Sequence, residues 1–351
     1  FKLSDSSQGT VSYVFPTANA ILYATFIAIA WFGGLEIIKG NMGVGDLVSF
    51  NMYAMMLLGS LIGLSMVVTM LMASSPSVTR VKEVLTRKIS MTNDQKVEGL
   101  EPEDGSIDFD NVSFKYEEDS EAYQLSNIDL HIRSGEVIGI LGPTGSSKST
   151  LVQLIPRLYD ITEGSLRVGG HDVKEYDLET IRDNVSIVLQ KNTLFSGTIL
   201  ENLKWGDKEA SYDEVIAMAK IAQADEFINE RTDTYESKLG QGGSGVSGGQ
   251  KQRLTIARSL LKKPKILILD NSTSAVDTKT EAKLLEGFNN LDGEMTQIII
   301  SQRLSSFEHA DRIIILDDGK ISDIGTPEDL YQRNEIYRTT YDIQEKGGKN
   351  D

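Results

Sequence analysis

Two long stretches of this chain carry no charged residue: Ser6 to Leu35, whose centre Ala20–Phe32 is almost wholly apolar, and Leu47 to Thr79. A helix that crosses a bilayer needs about 20 consecutive apolar residues, and soluble helices rarely run so long without charge. The pattern predicts a transmembrane helical segment over residues 1–88, with spans at about 11–38 and 47–74. Between them Lys39-Gly-Asn-Met-Gly-Val-Gly-Asp46 is a glycine-rich polar turn, so the spans form a hairpin with its turn outside the hydrocarbon. Small and weakly polar residues (Thr25, Gly33, Gly34, Asn51, Gly59, Ser60, Gly63, Ser65) punctuate both spans and suit helix packing or a cavity lining. Arg80, Lys82, Arg87 and Lys88 follow the second span, whereas the turn offers only Lys39 beside Glu36 and Asp46. By the positive-inside rule everything after the second span is cytoplasmic.

A polar, acidic stretch over 89–105 reads as a linker, and beyond it the periodicity changes. Ser106–Phe114 and Ile128–Ile132 alternate apolar and polar residues, as half-buried antiparallel strands do. Val137–Leu141, Ile266–Leu269, Gln297–Ile300 and Ile313–Leu316 are short, wholly apolar runs bounded by polar residues or glycine, the pattern of parallel strands covered on both faces. Helical stretches alternate with them, so the soluble part (106–344) reads as α/β. The tail 345–351 reads as flexible.

Composition narrows the function. A net charge of -16 argues against a protein that grips nucleic acid. With no cysteine, disulfides, thiolate metal sites and a cysteine nucleophile are excluded. His131, His171 and His309 lack the spacing of zinc ligands. Phe1–Thr10 has no secretory signal, and the absent initiator methionine suggests a fragment.

The chemistry begins after the first buried strand, with Gly142-Pro143-Thr144-Gly145-Ser146-Ser147-Lys148-Ser149-Thr150 followed by an apolar helix. This is a P-loop. Backbone N–H groups and a helix N-terminus can surround a polyphosphate, Lys148 can reach the terminal phosphates, and Ser149 can ligate Mg2+. Ser147 stands where a glycine usually precedes the lysine. Later come Val246-Ser247-Gly248-Gly249-Gln250 at a helix start, the strand Ile266–Asp270, and Ser274-Ala-Val-Asp277.

In order and spacing these segments resemble the nucleotide-binding domain of ATP-binding cassette (ABC) proteins, across about 106–344. The resemblance implies a P-loop NTPase fold with an antiparallel β subdomain and a helical subdomain, here preceded by an all-α transmembrane hairpin. It implies that Tyr116 stacks on adenine, that Gln190 contacts Mg2+ with Ser149 and Asp270 and couples the nucleotide to the membrane helices, and that Ser247–Gln250 is the signature motif. It places Asp277 in the D-loop at a dimer seam. The family's hydrolytic members carry a glutamate where this chain has Asn271, and a histidine where it has Gln302; many exporters also carry a glutamate at Gln241. An amide cannot accept the water's proton, and losing a general base costs about 10²–10⁴-fold.

The reading that follows is the C-terminal part of a half-transporter at the cell (plasma) membrane, one subunit of a multidrug-type heterodimeric exporter and an ABC-type transport ATPase. Its own Walker site is degenerate, and its signature completes a competent site on a second half-transporter. ATP and Mg2+ are the expected cofactors, and the lipid bilayer and a small-molecule, lipid or peptide substrate the expected partners, with no nucleic acid. A regulatory subunit that gates a partner without transport is the alternative, disfavoured because such a module has no need of Ser247–Gln250. A soluble cassette ATPase is disfavoured by the hairpin.

Overall fold

The computed structural model describes residues 2–87, 91–117, 120–289, 291 and 295–347. It divides into two compact units, 1–89 and 90–351.

Unit one is a helical hairpin. Helix α1 (Lys2–Ile38) ends in a Schellman-type cap: Gly40, at φ +77°, donates its N–H to Ile37, and Asn41 donates to Glu36. Helix α2 (Val44–Thr86) starts after Gly43, whose N–H is accepted by Asp46 Oδ2 at 3.0 Å. The two helices pack closely at Gly33, where a Cβ would lie 2.3 Å from Leu47 Cδ1. Both helices are longer than the apolar runs that predict them. At 43 residues, α2 extends for roughly 65 Å, about twice the hydrocarbon thickness, because the helical hydrogen bonds beyond Ser74 need no apolar surroundings. Along α2 the hydroxyls of Ser49, Ser60, Ser65, Thr69 and Ser74 each donate to the carbonyl four residues earlier. These hydroxyls are thereby satisfied within the helix itself, which is what a lipid surrounding would require. Of the basic cluster after the second span, Arg80 and Lys82 lie on this extension and Arg87 is its C-cap; Lys88 is outside the described residues.

Unit two contains two main sheets. The first is antiparallel, in the order β2-β1-β4-β5, with β1 (Ile107–Phe114), β2 (Leu125–Ile132), β4 (Glu163–Val168) and β5 (His171–Asp172). The second has the order β12-β11-β3-β10-β9-β6, with β3 (Val137–Leu141), β6 (Val185–Val188), β9 (Ile266–Asp270), β10 (Thr296–Ile300), β11 (Arg312–Asp317) and the antiparallel edge β12 (Lys320–Gly325). The other four pairings in it are parallel. Around this sheet run α3 (Lys148–Leu154), α4 (Leu178–Asn184), α5 (Ile199–Lys204), α6 (Tyr212–Ile221), α7 (Asp225–Asn229), α8 (Gly248–Leu261), α9 (Thr278–Asn289), α10 (Pro327–Arg333) and α11 (Glu335–Gly347). A short ladder, β7 (Gly197–Thr198) with β8 (Lys238–Leu239), braces α5–α7.

Every residue of β9 and β10 is buried. Alternation divides them between two cores: Ile266, Ile268, Ile298, Ile300 and Ile314 pack with the antiparallel sheet and α3, while Leu267, Leu269, Ile299, Ile313 and Ile315 pack with α5–α8. Thr296, also fully buried, donates its hydroxyl to Gly105 O at 2.7 Å and accepts from Gly135 N–H at 3.0 Å.

Two boundaries differ from expectation. Residues 91–105 do not behave as a free linker within unit two: Thr92 O accepts from the buried Arg157, Val97 N–H donates to Glu175 O, and Lys96 pairs with Asp177 at 3.0 Å. Nor is all of 345–351 a loose tail, since α11 continues through Gly347; residues 348–351 lie outside the described set.

Ile298 is fully buried at the centre of the sheet. Ile298→Ala is expected to lower the stability of unit two by about 2–5 kcal/mol, read as an earlier unfolding transition of the full chain in denaturant.

Candidate functional site

In the six-stranded sheet the parallel strands all present their C-terminal ends at one edge, where open α/β sheets bind ligands. Sequence-distant residues meet there. Leu141 leads into the P-loop, Ile300 into Ser301–Gln302, Asp270 closes β9, and Gln190 follows β6.

The P-loop is built around two tight approaches and one left-handed serine. A Cβ at Gly142 would sit 2.0 Å from Leu316 O, and Gly145 has φ +89°. Pro143, Thr144 and Gly145 are exposed, whereas Ser146, Lys148 and Thr150 are buried. Ser147 holds φ +70°, ψ 22° immediately before α3, a conformation that costs an L-residue about 1–2 kcal/mol. Lys148 Nζ donates to the carbonyls of Gly142 (2.8 Å) and Pro143 (2.7 Å) and to Ser146 Oγ (3.1 Å). Burial pushes its pKa down, and the nearby Asp270 carboxylate opposes that shift. β9, which ends in Asp270, lies two strands from β3 in the sheet.

Asp270 is 5% exposed. Its Oδ1 accepts a 3.3 Å hydrogen bond from Asn271 Nδ2. Asn271 itself has φ +47°, and its N–H donates to Ile300 O; asparagine tolerates this left-handed region better than most residues. Ser149 is half-buried on the first turn of α3, and Gln190 is exposed. One buried carboxylate, one hydroxyl and one amide oxygen suit a hard cation that takes most of its ligands from phosphates and water.

Tyr116 stands beside the loop with its hydroxyl 3.0 Å from Thr150 Oγ1 and its ring edge-on to Tyr159 at 5.0 Å. It is 49% exposed, so part of an aromatic face is open to a planar ring. Past Gln190 opens a cleft of about 510 Å³ lined by Leu189, Lys191, Arg258 and Lys262, with Phe195 and Trp205 stacked at its rim, 4.5 Å between centroids.

Ser247 is the N-cap of α8 and forms a capping box with Gln250: Gln250 N–H donates to Ser247 Oγ (3.3 Å), and Ser247 N–H to Gln250 Oε1 (2.9 Å). Ser247 and Gly248 are exposed. Among the described residues no hydrogen bond joins 247–250 to 142–150. Gly249 is close-packed instead against the D-loop, where a Cβ would meet Ala275 O at 2.7 Å. Asp277 caps α9 through Thr280 N–H, and that bond is the largest cause holding its carboxyl below the ordinary range. Gln241 lies exposed on a 3₁₀ turn ahead of the signature.

The family model described as ABC transporter matches residues 125–274. Unit two holds an ABC transporter ATP-binding domain. Over 337 residues the chain is 39% identical to "Uncharacterized ABC transporter ATP-binding protein YfiB" of Bacillus subtilis (strain 168), covering 95% of this chain and 57% of that protein. It is 37% identical over 330 residues to YgaD of the same organism, provisionally named a multidrug export ATP-binding/permease protein, covering 94% and 57%. The structure of a bacterial Atm1-family ABC exporter with ATP bound superposes with a TM-score of 0.79 at 30% identity, covering 97% of this chain and 60% of that one. The chain therefore spans somewhat over half the length of the relatives it matches.

The ABC domain also contains a network that motif reading missed. Glu281, 2% exposed, accepts from Thr273 Oγ1 (2.7 Å), Ser306 Oγ (2.6 Å) and Arg303 Nη1 (3.1 Å). The available signal was an acidic residue four positions after Asp277, on the face of α9 that its apolar residues turn inward.

Two substitutions test the loop. Ser147→Gly relieves the left-handed strain, so the ABC domain's melting temperature is expected to rise with ATP affinity retained. Gly142→Ala drives a methyl into Leu316 O and is expected to abolish binding of a fluorescent ATP analogue.

Proposed function

We propose that this chain is the ATP-binding part of an exporter half-transporter in which ATP binding and hydrolysis at a composite interface drive substrate export. We further propose that its own site holds ATP without hydrolysing it efficiently. In this reading the spans 11–38 and 47–74 lie in the plasma membrane, and residues 106–344 form the cytoplasmic ABC domain. A second half-transporter supplies the competent site.

The observation that carries the slow-site reading is the Asn271 side chain. It stands beside Asp270 as a hydrogen-bond donor to the carboxylate, where a general base would have to be an acceptor for the attacking water's proton. Gln302, at the end of the neighbouring strand, brings no titratable group. The remaining parts serve binding. Lys148 exchanges its carbonyl partners for phosphate oxygens, the P-loop N–H groups donate to the phosphates, and Tyr116 stacks on the base. Ser149, Asp270 and Gln190 would hold Mg2+, which when bound supplies charge neutralisation between phosphates.

Ser247 supports the other half of the reading. Its exposed hydroxyl and the N–H groups that open α8 form an anion-receptive surface turned to a nucleotide on another domain. At that competent site water attacks the γ-phosphorus, its proton passes to the partner's base, and ADP leaves. Gln190 couples the nucleotide's state to the membrane helices. The exported molecule is a small molecule, a lipid or a peptide.

In the full transporter with its partner, Ser247→Ala is expected to reduce ATP turnover at least tenfold, while Asn271→Glu leaves turnover intact or raises it. A fully active homodimer of this chain alone would refute the asymmetric assignment.

A further inference from the structure

The segment that follows β10, Ser301 to Phe307, is gripped from outside by one amide side chain. Gln344 in α11 donates from Nε2 to Gln302 O at 2.6 Å and accepts from Leu304 N–H at Oε1, 3.0 Å away. It thus pairs with two backbone groups two residues apart, as an adjoining strand would. From beneath, Ser301 Oγ accepts from Arg303 N–H (3.0 Å) and lies 2.9 Å from Ser306 Oγ, which donates to the buried Glu281. Arg303 completes the arrangement: besides Glu281, its guanidinium donates to Val276 O (2.9 Å) and Ser274 O (3.2 Å). Those carbonyls flank Ala275, whose own N–H donates to Gln252 Oε1 of α8 at 3.2 Å and whose carbonyl touches Gly249.

A continuous polar path therefore runs from the C-terminal helix through the backbone of Gln302 to the D-loop and the start of the signature helix. We propose that Gln344 is a positioning residue, a latch by which α11 sets the backbone of Gln302 and, through Arg303, the D-loop. The residue beside this chain's own nucleotide and the surface presented to a neighbour's nucleotide are thereby placed as one unit. Gln344 is itself exposed and fills no part of either core, so packing does not account for the pair of bonds it makes. Arg303 is suited to the tie because a planar guanidinium can serve a carboxylate and two carbonyls at once, which an ammonium cannot do in a fixed geometry. The inference rests on the reading of the β3–α3 loop as an ATP site.

The test uses the full-length transporter assembled with its partner in lipid. It compares Gln344→Ala, Gln344→Glu, Arg303→Lys and the Gln344→Ala/Arg303→Lys double variant with wild type. Readouts are the rate at which intact ATP leaves this chain's site, kcat and KM for turnover, and the melting temperature. Loss of two neutral hydrogen bonds is expected to speed ATP release about 3–10-fold in Gln344→Ala and to lower kcat with KM and melting unchanged. Gln344→Glu, which can still accept from Leu304 but cannot donate to Gln302, falls between. The double variant is expected to be no worse than the more impaired single variant, because both lie on one path. Release and kcat within twofold of wild type in Gln344→Ala would overturn the proposal, as would effects that simply multiply in the double variant. If wild type itself retains no ATP at this site, the ATP-site reading fails; if wild type retains it and all variants match, only the latch fails.

Discussion

The architecture depends on burying the six-stranded sheet on both faces. A parallel strand covered on each side can carry almost no polar side chain along its middle, and β9 and β10 carry theirs at the ends, Asp270 on one and Thr296 and Gln297 on the other. Polar chemistry is confined to the strand ends, and because five of the strands run the same way, their C-terminal ends share one edge. The P-loop, Asp270, Ser301–Gln302 and Gln190 are neighbours for that reason. Each is the first residue or loop that its strand can make polar after leaving the core. The site is thus a product of the same constraint that makes the core.

The apolar helical hairpin answers the complementary constraint. In a hydrocarbon surrounding, the backbone and any hydroxyl must find partners inside the same segment. The serines and threonines of α2 do so by donating to the carbonyl one turn back, which lets a long helix carry many polar atoms without presenting them. Gly33 contributes in the opposite way, by having no side chain where Leu47 needs space.

The sequence made much of this legible, unevenly and for physical reasons. Buried parallel strands and charge-free helices stand out because their composition has no other use in a folded chain. The P-loop was legible because close backbone approach restricts residue choice, as the 2.0 Å clearance at Gly142 makes concrete. What was not legible is how tertiary contacts use ordinary residues. Asn93, Lys96 and Val97 have the composition of a linker, yet they are fastened to 175–177 because that surface supplies matching partners. Glu281, Arg303 and Gln344 lie far apart in sequence, and nothing local marks them as a group. Apolar content marks the stretch suited to hydrocarbon or to a core, while helical hydrogen bonding continues past it, so α2 and α11 run on to Thr86 and Gly347.

Burial on both faces leaves β10 with a problem of bookkeeping in register. Ile298, Ile299 and Ile300 are chemically alike, so sliding the strand by one residue would still offer isoleucine to each core; hydrophobicity, which usually fixes alignment, is nearly silent here. Thr296 is not silent. Its hydroxyl is committed to Gly105 and Gly135 at one end, while Ile300 O is committed to Asn271 at the other. In a strand that reads the same from either side, the few polar atoms at its ends carry the alignment, so the placement of the edge that bears the P-loop depends in part on a threonine at the opposite edge of the sheet.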